Sequence, residues 1–472
     1  MKKDFDIIVI GAGAGGLNIA SFMKSVGFST LLIEKDESRI GGDCLNVGCI
    51  PSKALIHVAR KVYSAYDTNR FGVETRGVAD FKLVRKHIEE AQAVIREHES
   101  ADYFRQKGID VVIGEAVFAG PDSVMVGQVT YTAKRIVLAV GTKPRTLDLP
   151  GIENANVHTN ETIFTLDRLP KRLAVIGGGP IGVELGQAFA MLGSEVSLVT
   201  RDARLLPRED EEVSGVLQRK LEEMNVQLYF NSSPKRFEGK TRLMIELPGG
   251  LEHQLGYDVC LSAIGRESVT DSLNLDFAGI QTDERGQLQV NEYLQTTNSQ
   301  VFVVGDAAGA HQFTHAAELH ASLVLSNFFK PGILKKKLNT DHMGWVTYTS
   351  PEIASFGLSE AKLAERSKKY ELLRVPFTHD DRAITDENRE GLMKLFVDPN
   401  QGTIYGGSIV AEGAGEIVGE LMLAQRHQMN LGDLFKKVYP YPTASRINRA
   451  AAQKFMGRKL SERAKRLLHF LY

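Results

Sequence analysis

The sequence predicts an α/β fold with two Rossmann-like units and a C-terminal α+β region, and three observations lead to this prediction. Two apolar strand-like runs each lead into a glycine-rich turn, Gly11–Gly16 and Gly177–Gly182. A helical pattern and a second apolar strand follow each turn, as in a βαβ unit. After about residue 340 the pattern changes to short strands mixed with helices. A chain of 472 residues has room for roughly three such domains.

The first unit reads as a strand from Ile7 to Ile10, a glycine-rich turn, a helix from Leu17 to Val26 and a second strand from Thr30 to Ile33. In this pattern Gly11 makes the tight turn, Gly13 lets the backbone approach a pyrophosphate, and Gly16 lets the helix pack on the strand. Glu34 closes the second strand, where an acid binds ribose hydroxyls. These features predict a dinucleotide site, and the alternative is a glycine-rich turn without a ligand.

The second unit repeats the pattern between Leu173 and Val199, with Gly177, Gly179 and Gly182 in its turn. Two dinucleotide sites in one chain predict electron transfer between two bound cofactors. The alternative is a duplicated fold in which one site binds nothing.

The second unit has no acidic residue at the position that Glu34 occupies in the first. Thr200 stands at the end of the second strand, followed by Arg201, Arg204 and Arg208. A carboxylate there would repel a 2′-phosphate, whereas several arginines attract one. This pattern favours NADPH over NADH, and the alternative is a solvated arginine cluster.

Cysteine is rare, yet two of the three cysteines, Cys44 and Cys49, lie five residues apart. Pro51 and the residues after it open a helix, which puts Cys49 at a helix N-terminus, where a thiolate is stabilised. Lys53, about one turn further, adds positive charge. If the residues between the cysteines form an irregular turn, the pair can close a reducible disulfide. A metal site is not favoured, because no further Cys or His ligands stand nearby, and buried inert thiols are the remaining alternative.

Cys260, in an apolar run, is expected to be a core thiol.

Composition and charge exclude several classes of function. Apolar residues are 43% of the chain and charged residues 24%, which is an ordinary globular mixture. The formal charge of −1 predicts no general attraction to nucleic acid or anionic lipid. No apolar run approaches the ~20 residues that span a bilayer, and the N-terminus lacks signal-peptide order. We expect a cytoplasmic protein without a nucleic-acid partner or integral membrane segment.

The stretch Gly41-Gly-Asp-Cys-Leu-Asn-Val-Gly-Cys-Ile-Pro-Ser-Lys53 resembles the redox motif of the class I pyridine nucleotide–disulfide oxidoreductases. This family includes dihydrolipoamide dehydrogenase, glutathione reductase and mercuric reductase, and the form of the motif is most similar to the last. The resemblance extends over essentially the whole chain and implies a homodimer with FAD on the first unit and NAD(P)H on the second. It implies four segments: 1–148, the first part of the FAD-binding domain; 149–268, the NAD(P)H-binding domain; 269–340, a central part; and 341–472, the dimerisation domain.

The resemblance also implies roles for individual residues. Cys49 would be the thiol beside the flavin and Cys44 the interchange thiol that meets the acceptor. Hydride would pass from the nicotinamide to the flavin, and electrons then to a Cys44–Cys49 disulfide. Lys53 would pair with Glu184 beside the flavin. Further FAD contacts would come from segments 114–116, 139–142 and 305–306, through Ala116, Gly141 and Asp306.

Two segments depart from the family pattern. Disulfide-reducing members carry His-Pro-Thr-Leu-Ser-Glu near the C-terminus, but here Tyr441 stands at the His position and Arg446 at the Glu position. A phenol is a weak base at neutral pH and a guanidinium cannot accept a proton, so fast lipoamide or glutathione exchange is not expected. The alternative is that another histidine, such as His315 or His427, takes this role. The loop Gly265-Arg-Glu-Ser268 also departs from the usual Pro-Asn after Gly-Arg.

These observations predict an FAD-dependent, NADPH-preferring pyridine nucleotide–disulfide oxidoreductase that acts through a redox-active Cys44–Cys49 disulfide. The tail Lys454–Tyr472 lacks the cysteine pair by which mercuric reductase delivers Hg(II), so efficient mercuric reduction of that type is not expected. The acceptor is expected to be a metal ion, a small electrophile or an unusual disulfide. One alternative is a dihydrolipoamide dehydrogenase with non-standard acid–base residues, and another is a redox-sensing flavoprotein.

The C-terminal tail is expected to pack on the dimer as a helix, and the alternative is contact with a membrane surface or an acidic partner. Its apolar stripe comprises Leu460, Ala464, Leu467, Leu468 and Leu471.

Overall fold

The computed structural model describes residues 3–309, 311–458 and 462–472, without the side chains of 462–464. Up to residue 170 its regular elements are β1 (Phe5–Ile10), α1 (Ala14–Ser25), β2 (Thr30–Glu34), α2 (Gly42–Asn46), α3 (Cys49–Asp67), α4 (Phe81–Arg96), α5 (Ala101–Gln106), β3 (Asp110–Ile113), β4 (Ala116–Gly120), β5 (Ser123–Val126), β6 (Val129–Leu138), β7 (Thr142–Pro144) and β8 (Val157–His158).

The elements from residue 171 to residue 338 include both parallel and antiparallel strands. They are β9 (Arg172–Ile176), α6 (Pro180–Leu192), β10 (Glu195–Val199), α7 (Glu211–Glu223), β11 (Gln227–Tyr229), β12 (Ser233–Phe237), β13 (Arg242–Glu246), β14 (Glu252–Gly256), β15 (Val259–Ser262), β16 (Arg266–Ser268), β17 (Val301–Val303) and α8 (Thr314–Phe328).

The remaining elements form the α+β region that the sequence predicts. They are β18 (Gly344–Thr347), β19 (Glu352–Gly357), α9 (Glu360–Glu365), β20 (Glu371–Pro376), α10 (Asp381–Thr385), β21 (Leu392–Val397), β22 (Ile404–Ala411), α11 (Ala414–Arg426), α12 (Leu431–Lys436), α13 (Arg446–Arg458) and α14 (Glu462–Leu471).

Contacts divide the chain into two units. The first holds the residues up to Pro170 with Gly239–Thr241 and Asp258–Leu338, and the second holds Lys171–Glu238, Arg242–Tyr257 and Asn339–Tyr472. The finer four-part division expected from the sequence stays a prediction.

The first unit is built on one mixed sheet with the strand order β3-β2-β1-β6-β5-β4, and β17 also pairs with β6. β1 pairs in parallel with β2 and with the second half of β6, whereas β5 pairs antiparallel to the first half of β6. Ile7 and Val9 contribute to one apolar core and Ile8 and Ile10 to another, so both faces of the sheet are covered. Burial on both faces explains why β1 is a continuous apolar run.

The second unit combines three sheets. β9, β10 and β11 are parallel, β12-β13-β14 form an antiparallel sheet, and β18-β19-β22-β21-β20 form a larger antiparallel sheet. Ile409 on β22, Leu421 on α11 and Phe455 on α13 share one buried core. The predicted fold class, with two βαβ units and a C-terminal α+β region, is therefore confirmed.

The C-terminal helix α14 presents apolar side chains to the surroundings of the chain. Of the predicted stripe, Leu460 and the side chain of Ala464 lie outside the described residues. Leu467, Leu468 and Leu471 are more than half exposed. Packing of this helix on a second subunit stays a prediction. In the described ranges, every helix is too short or too polar to cross a bilayer.

A buried lysine joins two elements of the second unit. Lys394 on β21 is 5% exposed, and its Nζ atom lies 2.6 Å from Asp210 Oδ2 and 2.8 Å from Glu212 Oε1. Asp210 also caps α7, because its Oδ1 atom accepts from the backbone N–H groups of Glu212 and Val213. The lysine therefore neutralises two carboxylates at the helix N-terminus, and these hydrogen bonds hold the pKa of Lys394 above its usual value despite burial.

We predict that Lys394→Met lowers the free energy of unfolding of the second unit by about 2–4 kcal/mol, because it leaves Asp210 without its cation and Glu212 with Arg374 as its remaining cation. The fluorescence of Trp345, the one tryptophan of the chain, reports the urea midpoint of this unit. Arg382→Met is the matched control, since it removes a half-exposed ion pair to Asp386 and is expected to cost about 0.5 kcal/mol or less. Equal midpoints for the two variants would contradict this role of Lys394.

Candidate functional site

The first glycine-rich turn has the geometry of a dinucleotide site. A Cβ atom on Gly16 would lie 2.1 Å from the carbonyl oxygen of Gly11, so α1 approaches β1 too closely for any other residue. Gly13 caps α1 without a side-chain hydrogen bond, which leaves the first N–H groups of the helix available to a phosphate. The helix begins at Ala14, earlier than the predicted Leu17, because the last glycines of the turn form its first turn.

The acid predicted for the ribose lies beside this turn. Glu34 ends β2, is 8% exposed, and its carboxylate accepts hydrogen bonds of 2.8 Å from the N–H groups of Ala12 and Lys35. Gly114 donates its N–H to the Glu34 carbonyl oxygen, which brings the start of β4 at Ala116 to the same edge. The residues predicted for one end of an FAD molecule therefore lie together, and their role as ligands stays a prediction.

The second glycine-rich turn repeats this packing in the other unit. A Cβ atom on Gly182 would lie 2.0 Å from the carbonyl oxygen of Gly177, and Gly179 caps α6 without a side-chain hydrogen bond. The side chain of Thr200 is buried after β10, while Arg201 and Arg208 are exposed.

Two residues of the loop, Arg204 and Asp202, determine which arginines of the predicted cluster can meet a ligand. The guanidinium of Arg204 donates to Ser214 Oγ and to the carbonyl oxygens of Leu206, Pro207 and Glu209, so it holds the loop together. Asp202, which the sequence analysis did not consider, accepts a hydrogen bond of 3.4 Å from Thr200 Oγ1. Arg201 and Arg208 are therefore the arginines of this loop that are exposed to a ligand.

The two motif cysteines meet in the first unit as free thiols. Cys44 lies in the short helix α2 and Cys49 is the first residue of α3, so a helical turn rather than an irregular segment carries Cys44. Gly48 permits the tight connection, since a Cβ atom there would lie 2.7 Å from the carbonyl oxygen of Asp43. The Cys44 and Cys49 side chains lie close enough for the two thiols to interact.

Two helix N-termini point at these sulfurs. Cys49 begins α3, and Thr314, the first residue of α8, places its Oγ1 atom 3.4 Å from Cys49 Sγ. Both helix dipoles favour negative charge at this point. The hydrogen bond to Cys49, together with burial, raises the pKa of the Cys44 thiol well above its usual range.

A buried arginine connects the cysteine segment to Asp306. Arg266 Nε donates to Thr142 Oγ1 at 2.7 Å, and its Nη2 atom donates to Asp43, the residue before Cys44. Arg266 also forms an ion pair of 3.8 Å with Asp306, which accepts from Thr142 Oγ1 at 3.1 Å. Burial raises the pKa of Asp306, and the Arg266 cation opposes this shift. Arg266, which belongs to the Gly-Arg pair that this loop shares with the family, therefore contributes to the site.

The other predicted catalytic residues belong to different units. Lys53 lies on α3 in the first unit, with its Nζ atom 3.3 Å from Ser52 Oγ. Glu184 lies buried on α6 in the second unit, where its Oε1 atom accepts the Tyr348 N–H at 2.9 Å. Their pairing stays a prediction, as does a contact of Gly141, between β6 and β7, with FAD.

Tyr441 and Arg446, the two departures from the family's His and Glu, contact each other. The Arg446 guanidinium carbon lies 5.0 Å from the centre of the Tyr441 ring, and the tyrosine is 67% exposed. Such a cation–π pair contains no base. His427 is exposed beyond α11, and His315 stacks on Phe313 at the start of α8.

A cavity of about 320 Å³ opens onto Cys44 within the first unit. The polar residues that line it are Asn18, Ser21, Cys44, His98, Glu99, Tyr103, Thr314 and Glu318. Among the described residues, this lining includes two carboxylates and no lysine or arginine. Burial raises the pKa of Glu99, which lies after the C-terminus of α4. In the described ranges, this cavity included, His, Cys, Asp and Glu side chains do not form groups of three that could hold a metal ion.

Sequence reasoning missed Arg266, Thr314, His98, Glu99 and Glu318. Each is far from Cys44 along the chain. The Gly265-Arg266 pair, which matches the family pattern, was the one available signal for Arg266. Cys260 lies fully buried in β15, where burial raises its pKa to about 12, as expected for a core thiol.

Comparisons with known proteins agree with this geometry. The family model for pyridine nucleotide-disulphide oxidoreductases matches residues 5–321, and the model for their dimerisation domain matches residues 343–451. The chain is 31% identical to a mercuric reductase of Staphylococcus aureus over 96% of this chain and 82% of that protein. It is 31% identical to a dihydrolipoyl dehydrogenase of Thermus scotoductus over 94% of this chain and 95% of that protein.

A solved structure has the same fold. It is the Cu(II) complex of the HOCl-induced flavoprotein disulfide reductase RclA from Escherichia coli, with a TM-score of 0.84 and 25% identity over 96% of this chain and all of that chain. The dimerisation domain supports a homodimer. The chain therefore belongs to the class I pyridine nucleotide–disulphide oxidoreductases, a family of FAD-dependent enzymes that use NAD(P)H.

Proposed function

We propose that this chain passes electrons from NAD(P)H through FAD to a Cys44–Cys49 disulfide and on to an acceptor that reaches Cys44 through the adjoining cavity. The observation that carries the proposal is the contact between the two thiols at two helix N-termini, with Cys44 lining the cavity. Two adjacent thiols release an electron pair and two protons as they close a disulfide, and the helix N-termini favour the thiolate form that this exchange requires.

The first unit fits FAD at both ends of the expected site. Gly13 at the start of α1 offers backbone N–H groups to a pyrophosphate, Glu34 lies where a ribose is bound, and Asp306 lies near the cysteine segment through Arg266. When bound, FAD supplies two-electron transfer between a nicotinamide and sulfur. Arg266 binds both Asp306 and Asp43. Because Asp43 directly precedes Cys44, these contacts hold Cys44 in position.

The charges of the cavity indicate the acceptor class. Glu99 and Glu318 repel anionic disulfides and attract cations, and their effect is strongest where water is scarce. Relatives of the chain include mercuric reductases, and the similar RclA structure is a Cu(II) complex. We therefore propose a thiophilic metal cation, or another cationic or uncharged electrophile, as acceptor. Tyr441 and Arg446 supply no base for disulfide exchange, which is consistent with this class.

The coenzyme is proposed to be NADPH in preference to NADH. Thr200 leaves no carboxylate at the end of β10, and Arg201 and Arg208 are exposed near it. Asp202 opposes this preference, but it accepts a hydrogen bond from Thr200.

We predict that Cys44→Ser and Cys49→Ser each lower NADPH-dependent reduction of Cu(II), Hg(II) or a small disulfide by at least about a hundredfold, because the thiols relay the electrons. Direct reduction of ferricyanide by the flavin is expected to persist. Cys260→Ser is the matched control and should change neither rate per bound FAD. Unchanged acceptor reduction in Cys44→Ser would refute the relay.

The charge of the acceptor is tested with two small disulfides, cationic cystamine and anionic dithiodipropionate. We predict a higher kcat/KM for cystamine, and a drop of about threefold to tenfold in this preference for Glu99→Gln. Because the pKa of Glu99 is raised, the preference should grow as rising pH ionises this carboxyl, and it should shrink at high salt. Glu97→Gln, an exposed neighbour outside the cavity lining, is the control. Equal preference in the wild type and Glu99→Gln would contradict the proposed acceptor class.

For the coenzyme, we predict that the double variant Arg201→Gln, Arg208→Gln lowers kcat/KM for NADPH by about tenfold to a hundredfold, with little change for NADH. Arg219→Gln, an exposed substitution on α7, serves as the control. Comparable kcat/KM values for NADH and NADPH in the unmodified enzyme would defeat this assignment.

A further inference from the structure

The segment after α8 forms a closed loop with an exposed apolar tip. The Asn327 side chain donates to the Lys336 carbonyl oxygen and accepts the Lys336 N–H, both at 2.8 Å, so it fastens the two ends of the loop together. At the tip, Ile333 is 94% exposed and Leu334 is 60% exposed. A loop that is fixed at its base presents these side chains in one place.

The tip continues into an exposed aromatic surface. Phe329 is more than half exposed, and its ring centre lies 6.4 Å from Phe22 and 5.8 Å from Phe28. Phe22 is itself partly exposed on α1. Exposed apolar residues that cluster in this way indicate an interaction surface, whereas single ones do not.

The same surface is basic. Between Glu318 and Asp341 the sequence contains no acidic residue, and none stands between Asp6 and Glu34, the stretch that contains α1. Lys337 pairs with Glu292 at 2.8 Å, and Lys330 donates to Ser326 Oγ. Among the described residues, no carboxylate pairs with Lys335 or Lys336. We define the basic apolar patch as Phe22, Phe329, Ile333 and Leu334 with Lys330, Lys335, Lys336 and Lys337.

The backbone of the tip is suited to an apolar surrounding. Pro331 has no N–H, the Leu334 N–H bonds to the Pro331 carbonyl oxygen at 2.9 Å, and the Lys335 N–H bonds to the Gly332 carbonyl oxygen at 3.3 Å. Few backbone donors at the tip therefore need water, which lowers the cost of moving it into a lipid interface. A protruding aliphatic tip with flanking lysines fits a soft, negatively charged surface better than a preformed protein groove.

We propose that the basic apolar patch docks this protein on an anionic lipid bilayer, with Ile333 and Leu334 inserted at the headgroup boundary and the lysines among the lipid phosphates. The formal charge of −1 gives the whole chain no such attraction, so the local arrangement of charges directs the contact. Docking would be peripheral, since no helix in the described ranges can span a bilayer.

The patch is remote from the redox site within the first unit. α1 has the glycine-rich turn at its first end and Phe22 near its last, and α8 has Thr314 at its first end and leads into the loop. At 1.5 Å per residue, α8 separates Thr314 from the loop by roughly 20 Å. Patch variants should therefore leave reduction of a water-soluble acceptor unchanged, and the proposal does not depend on the proposed function.

The test is co-sedimentation of the FAD-loaded full chain with vesicles of phosphatidylcholine, with and without phosphatidylglycerol. We expect binding to the anionic vesicles and little binding to the neutral ones. The double variant Ile333→Asp, Leu334→Asp should weaken binding by at least about tenfold. The double variant Lys335→Gln, Lys336→Gln should weaken it by roughly fivefold or more and reduce its salt dependence. Ferricyanide reduction should be unchanged in both.

Two controls keep the result specific. Val78→Asp changes an exposed apolar residue elsewhere in the first unit, and Leu471→Asp changes the exposed face of α14; both should bind like the wild type. Absence of vesicle binding, or equal binding to neutral vesicles, would overturn the proposal. Loss of binding in Leu471→Asp but not in the loop variants would assign it to the tail. A change of oligomeric state in Ile333→Asp without vesicle binding would make the patch a protein interface.

Discussion

The proposed electron path depends on one contact, the close approach of the Cys44 and Cys49 thiols. Cys49 is held at the start of α3 and beside Thr314 at the start of α8, so two helix dipoles act on the same sulfur. The Cys49 side chain and burial both raise the pKa of the Cys44 thiol. The two sulfurs therefore lie in different environments, with Cys49 at the helix starts and Cys44 at the cavity.

The electrostatics around this contact separate the chain from disulfide reductases that bind anionic substrates. On the Cys44 side, the cavity offers Glu99 and Glu318 in place of cations. In the second unit, the pair Tyr441 and Arg446 replaces an acid–base dyad by a cation–π contact. Both changes favour an acceptor that needs a thiolate and not a proton donor, such as a soft metal ion. The fold is shared across the family, but the acceptor depends on these local side chains.

Features of the site could be predicted from the sequence where they depend on residues that are close together along the chain. The glycine turns and the position of Cys49 on α3 depend on neighbouring residues, and the structure shows them where expected. The start of α1 was placed late, because glycines that look like a loop are already helical. Thr314, Arg266 and Glu99 could not be predicted, because only the folding of the first unit brings them to Cys44. Asp202 was overlooked although it lies two residues from Thr200.

The most direct measurement is an anaerobic titration of the FAD-loaded protein with NADPH, in which the visible absorbance of the protein is recorded after each addition. The account predicts that each chain accepts one electron pair more than its flavin alone can take, with a long-wavelength absorbance band after the first pair. Cys44→Ser should lose the additional pair. If the wild-type protein takes up only the electron pair of its flavin, the two sulfurs do not exchange electrons with the flavin.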